Sequence, residues 1–239
     1  MIAQAFVRDL VFLLVAAFIG GSLAKRFRYP AALGELAVGI IVGPFALGFV
    51  EYSDTLVTFA EIGAIILLFY IGLETDMAML RKYLLPSIMA GVLGALLPLL
   101  LGYYGSIYLG FGPGEALFMG TVLTATSIGI TARMLSDLDH LKTKEGTTIL
   151  GAGVVDDIVA IVLLSFTLSV LAGEFNVIDL ASVLAKVASF WAIIMIVGVY
   201  VITRFLDKMR AETESLTLVI LALGFAGSFG SSQLGLSPP

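Results

Sequence analysis

Asp156 and Asp157 stand side by side inside a run otherwise built for a membrane: Gly151-Ala-Gly-Val-Val-Asp156-Asp157-Ile-Val-Ala-Ile-Val-Leu-Leu-Ser165. A carboxylate at mid-bilayer costs about 2.5–3.5 kcal/mol on insertion scales, and an ionisable residue at that depth reads by default as an ion or proton site. Two in a row are hard to explain as packing. Consecutive helical residues point about 100° apart, so the two carboxylates do not easily share one ligand. One is expected to face a water-filled cavity and the other a partner helix. A carboxylate so placed holds either a proton or a hard monovalent cation, and that competition is the minimum chemistry of proton/cation exchange.

A second polar cluster precedes it: Thr121-Val-Leu-Thr124-Ala-Thr126-Ser127-Ile-Gly129-Ile-Thr131-Ala-Arg133. Hydroxyl residues and glycine re-satisfy backbone groups where a membrane helix unwinds. Unwound carbonyls and half-helix ends are a recurring way to build cation sites at the midplane. Ser, Thr and Gly also pack membrane helices tightly, and for this segment alone the two explanations are evenly matched. Beside two buried aspartates the site explanation is the stronger.

The elements that must position these residues are membrane helices. The chain has 239 residues, 59% hydrophobic and 13% charged, against about 25% charged in a soluble domain. Spanning segments are helices or a closed barrel, and apolar runs of about 18–25 residues without strand alternation are helices. Eight spans are expected, at 7–24, 33–50, 56–73, 84–109, 115–136, 146–172, 180–204 and 214–231. The first run carries no A-x-A-like cleavage site and reads as an ordinary span, not a signal peptide. There is no cysteine, so thiol chemistry and disulfides are excluded. The single His140 lies in a polar connection, which argues against a histidine-built metal site.

Charge orients the spans. The odd-numbered connections hold Lys25, Arg26, Arg28, Arg81, Lys82, Lys142, Lys144, Lys208 and Arg210, with Arg133 and Arg204 at the adjoining helix ends. That places 11 of the 13 basic residues on one side. Short basic loops stay in the cytoplasm, so the N-terminus is expected outside and the odd-numbered loops inside, in the inner (cytoplasmic) membrane. Thr126 near the middle of segment 5 and the aspartates near the middle of segment 6 then share one membrane depth.

Other embedded charges are weaker signals. Glu35 opens segment 2 and reads as a helix-end acid that snorkels or pairs. Glu61 lies just inside segment 3 and is a candidate for a secondary transport role. Glu74 and Arg133 are expected at similar depth, where they could form a structural ion pair.

Four motifs occur in order: Gly34-Glu-Leu-Ala-Val-Gly39-Ile-Ile-Val-Gly43-Pro44, Phe69-Tyr-Ile-Gly-Leu-Glu74-Thr-Asp76, Thr124-Ala-Thr-Ser-Ile-Gly-Ile-Thr-Ala-Arg133 and Gly151-Ala-Gly-Val-Val-Asp156-Asp157. Together the chain resembles the monovalent cation/proton antiporter family, in its second cation:proton antiporter group, and particularly bacterial sodium/proton antiporters of the NapA kind. The resemblance covers essentially the whole chain. It implies an all-α polytopic membrane protein, the first half of an inverted-repeat antiporter fold with a discontinuous crossing helix. By this resemblance the crossing half-helix matches segment 5, with Thr126 and Ser127 near the break. The ion-binding carboxylate matches Asp157, the ligand expected for Na+. Asp156 matches a position that is Asp in electrogenic members. Family members carry more than eight spans, so the chain reads as the first part of a longer protein. Residues 1–205 are expected to form the first membrane repeat plus a linker helix. Residues 206–239 would begin a second, inverted repeat.

The expected function is secondary transport, exchanging sodium for protons by alternating access. The alternatives are a potassium/proton antiporter or gated potassium efflux system, and a non-transporting membrane fragment or scaffold. An enzyme is not expected, since no histidine base, cysteine nucleophile or metal cluster accompanies the aspartates. No cofactor is expected beyond transported Na+ (or Li+ or K+) and H+. The expected partners are the lipid bilayer and, at full length, a second copy in a homodimer, with no nucleic acid.

Overall fold

A computed structural model describes residues 2–173, 177–198 and 213–233, and every regular element among them is a helix. In chain order these are α1 (Ile2–Arg26), α2 (Ala31–Val42), α3 (Asp54–Glu74), α4 (Met77–Lys82), α5 (Leu84–Tyr108), α6 (Pro113–Val122), α7 (Ile128–Asp137), α8 (Lys144–Leu171), α9 (Val177–Ile196) and α10 (Thr213–Gln233). Four of them contain stretches long and apolar enough to cross a membrane: Phe6–Arg26, Asp54–Glu74, Leu84–Tyr108 and Lys144–Leu171. The chain divides into two compact units, residues 1–76 with 128–147, and residues 77–127 with 148–239. The expected repeat boundary near residue 205, the basic residues Arg204, Lys208 and Arg210, and the end of the seventh span lie outside the described residues.

The first unit is built on close approach. A Cβ on Gly20 of α1 would fall 2.3 Å from the Gly34 carbonyl oxygen of α2, and one on Gly34 would fall 1.9 Å from that of Gly20. Only glycine at both positions allows this backbone-on-backbone crossing, the usual way membrane helices associate without a hydrophobic driving force. α2 is shorter than the span expected at 33–50. It ends at Val42, because Pro44 disfavours helical geometry at Gly43 and cannot donate to the ladder. Twelve residues reach about 18 Å at 1.5 Å per residue, short of a hydrocarbon core of about 30 Å. The chain then folds back, with Leu47 N–H on the Ile41 carbonyl at 3.0 Å and Val50 N–H on the Val42 carbonyl at 3.1 Å. α3 starts where Ser53 Oγ accepts from Leu56 N–H at 3.3 Å, an N-cap.

In the second unit α5 presents a buried stripe of small residues, Ser87, Gly91, Ala95, Gly102 and Ser106. Gly91 meets the Ala152 carbonyl and Val155 of α8, and Ser87 abuts Gly151. Higher on the same stripe, Gly102 packs on Gly120 of α6. α6 opens with Pro113 at its first position, pre-set for helix. Glu115 Oε2 accepts from Gly112 N–H at 3.0 Å. The short helix α4 was not expected from hydropathy, being only six residues long.

Candidate functional site

The fifth apolar segment is not one helix. α6 stops at Val122, residues 123–127 leave helical geometry, and α7 resumes at Ile128. The local cause lies in the hydroxyls. Thr124 Oγ1 donates to the Thr121 carbonyl at 2.7 Å. Thr126 Oγ1 reaches the Thr124 carbonyl at 3.3 Å. Side chains thus take up carbonyls that a continuing helix would have bonded. Thr126 and Ser127 both lie in this break and are exposed.

α8 carries Asp156 and Asp157 past it. Asp156 is 5% exposed. Thr126 presents its hydroxyl and its backbone N–H toward this carboxyl, yet neither closes to hydrogen-bond geometry. Both Asp156 oxygens lack a partner among the described residues. Buried polar atoms are almost always satisfied, so an orphaned carboxyl asks for a functional explanation. Asp9 of α1 makes the contrast. It too is buried, but Arg8 Nε donates to its Oδ1 at 2.9 Å, and a paired acid needs no further explanation.

Asp157 points elsewhere, as the turn of the helix requires. It opens onto a cavity of about 310 Å³ lined also by Thr121, Val122, Ala125, Ala160, Ile161 and Leu164. Asp157 and Thr121 are the polar residues of this lining, and the rest of the wall is apolar. A cation entering it would find few competing polar groups. Among the described residues no cluster of three or more His, Cys, Asp or Glu side chains could hold a resident metal ion.

Glu61, Glu74 and Arg133 belong to the other unit. Glu61 is half-buried on α3. The expected Glu74–Arg133 ion pair is not formed. Glu74 accepts from the Tyr70 hydroxyl one turn back, at 2.5 Å. Arg133 instead reaches Glu35 of α2 at 3.7 Å and Asp137 on its own helix at 3.4 Å. Asp137 Oδ2 also accepts from Ala32 N–H at 3.1 Å, capping α2, whose own N-cap position is Pro30 and offers no side-chain bond. Shared depth placed Glu74 and Arg133 together in the sequence, but depth says nothing about which way a helix face turns. The i,i+4 spacing of Arg133 and Asp137 was the signal that could have found half of this cluster.

Helices of spanning length, a discontinuous helix and an orphaned intramembrane carboxyl define an integral membrane protein with a polar site inside it. The model of the transmembrane sodium/hydrogen exchanger family matches residues 13–239, and the chain belongs to that family. It is 35% identical to the Na(+)/H(+)-K(+) antiporter GerN of Bacillus cereus over 97% of this chain and 60% of that protein. It is 42% identical to a Na(+)/H(+) antiporter of Enterococcus hirae over 71% of this chain and 44% of that protein. With the high-affinity Na(+)/H(+) antiporter NhaS3 of Synechocystis it shares 30% identity over 92% of this chain and 56% of that protein. The chain thus spans about half the length of the curated relatives it matches.

Proposed function

We propose that this chain carries the ion-binding part of a secondary antiporter that exchanges sodium for protons by alternating access. The observation that carries the reading is the adjacent pair on α8. Asp156 is buried and orphaned beside the broken segment, and Asp157 opens onto a cavity whose walls are otherwise apolar but for Thr121. In the mechanism, Asp157 takes either a proton or Na+ from one side, the site is exposed to the other side, and the cargo is exchanged there. Thr126 and Ser127, with the freed backbone of the break, supply neutral oxygen ligands, the type a hard cation prefers. Asp156 holds a second proton or a salt bridge to a cationic partner. A pair of carboxylates that both cycle protons moves more charge than one sodium ion returns, which makes exchange electrogenic.

The basic residues gathered in the odd-numbered connections support an N-terminus outside, with those loops in the cytoplasm of an inner-membrane protein. The bilayer is the immediate partner. At full length a second copy of the chain, in a homodimer, is the further partner of this reading.

Cation-induced proton release from the purified protein tests the reading, with Asp157→Asn as control. Sodium should release protons from the unmutated protein, and Asp157→Asn should lose that release entirely. No release from the unmutated protein sinks the antiport reading in favour of a scaffold. Potassium is the second reading, favoured by the Bacillus cereus relative, which is named a Na(+)/H(+)-K(+) antiporter. Release by potassium at concentrations where sodium is silent would select it.

A further inference from the structure

We propose that Thr167 is a positioning residue for the cation site: its hydroxyl holds Thr121, and through Thr121 the end of α6, in register with the aspartates of α8. Thr167 is 0% exposed, one turn from the end of α8. A buried hydroxyl on a membrane helix usually satisfies itself on the carbonyl one turn back, and Ser169 does so, donating to the Ser165 carbonyl at 2.9 Å. Thr167 instead reaches across to Thr121 of α6, oxygen to oxygen at 2.7 Å. The direction of that bond follows from the neighbours. Thr121 Oγ1 already donates its hydrogen to the Leu117 carbonyl at 2.9 Å, so in the pair it accepts and Thr167 donates.

Thr167 lies ten residues beyond Asp157, about 15 Å along the helix, and does not line the cavity. Its effect passes through Thr121, which does three things. Thr121 lines the cavity beside Asp157. Its carbonyl receives both the amide and the hydroxyl of Thr124, at 3.1 and 2.7 Å, the bonds that close α6. The five residues after it lead to Thr126, which faces Asp156. A site held by a locked supporting shell binds better than one left loose, so releasing α6 from α8 should weaken cation binding without touching a ligand.

This assignment rests on the reading of the aspartates as a cation/proton site, and the test separates the two. In proteoliposomes carrying the full gene product, sodium-driven proton movement would be measured for the unmutated protein, Thr167→Val, Thr167→Ser, Thr121→Val and the double variant Thr121→Val with Thr167→Val. Thr167→Val keeps the shape and removes the donor. It should raise the apparent KM for sodium about threefold, the factor one interhelical hydroxyl bond supports, with kcat retained. Thr167→Ser should restore the wild-type KM. Thr121→Val, which removes the acceptor, should raise KM to a similar degree, and the double variant should add nothing further, as for two partners in one bond. This pair keeps the assignment testable if either valine variant alone fails to fold. A wild-type KM in Thr167→Val, whatever its melting temperature, overturns the assignment and leaves a merely structural threonine. Absence of any cation-driven proton movement in the unmutated protein overturns the antiport reading, and this assignment with it.

Discussion

α6 and α7 are consecutive in the chain, separated only by residues 123–127, and both end on side-chain contacts to another helix of their own unit. The contacts differ in kind. α6 ends among buried neutral groups: Thr121 against Thr167 at 2.7 Å, and Gly120 so close to α5 that a Cβ would fall 2.5 Å from the Leu99 carbonyl oxygen. α7 ends on charge, with Asp137 capping α2 and Arg133 bridging to Glu35, all partly exposed. The boundary between the two units falls between Ser127 and Ile128, at the end of the break itself. A neutral buried contact is set by shape and is deaf to salt. A charged one is set by Coulomb attraction and solvent. The half leading to the cavity is therefore the rigidly shaped half, and the other is tied down by contacts that ions can loosen.

Gly120→Ala should have the largest effect, because its new methyl meets backbone at 2.5 Å and 3.1 Å rather than the tip of a flexible side chain. Overpacking costs about 1–3 kcal/mol where side chains can yield, and backbone yields less, so a loss at the upper end is expected. A thermal melt in detergent reads it. A variant as stable as the parent would mean that α6 is free to move away from α5. On the α7 side, Asp137→Ala should cost about 0.5–2 kcal/mol, the range for losing an N-cap. Asp137→Asn keeps an oxygen for the Ala32 N–H and should recover most of that. If alanine and asparagine melt alike, the cap contributes nothing and charge alone holds α7.

How far these contacts were legible in the sequence follows from their range. The positions of the apolar segments, the stop at Gly43-Pro44 and the weakness of segment 5 are local properties, written in hydropathy and in a run of Thr, Ser and Gly. The break falls at residues 123–127 because those same hydroxyls find local carbonyls. The contacts that locate the two halves are not local. Thr121 and Thr167 are 46 residues apart, and Ala32 and Asp137 are 105 apart. Nothing in a single sequence says that a particular threonine bonds across helices and not to its own backbone. The Arg133 partner failed for a related reason: membrane depth is readable from span lengths, but the rotation of a helix about its axis is set by packing, here by the glycine crossing of α1 and α2. Asp156 and Asp157 were the easiest residues to single out. That the two would face different surroundings follows from the turn of a helix; which of them meets Thr126 and which the cavity depended on how α8 packs.

Arg133→Gln should show the smallest effect and gives the sharpest reading of the two kinds of contact. The guanidinium sits 3.4 and 3.7 Å from its carboxylates, and the arginine and glutamate side chains are 41% and 37% exposed. Exposed pairs of this sort contribute about 0–1 kcal/mol, and removal leaves the Asp137 cap on Ala32 in place. Stability should therefore fall by less than about 1 kcal/mol at low salt. Salt shortens the reach of the attraction, to about 3 Å at about 1 M, so choline chloride at that strength, which adds no sodium, should erase the difference between Arg133→Gln and the parent. The same salt should leave the deficit of Gly120→Ala untouched, because no charge takes part in it. A salt-insensitive Arg133→Gln deficit would mean that the arginine acts by packing its stem and not by pairing. The charged half of the broken helix would then be held by the same steric logic as the neutral half.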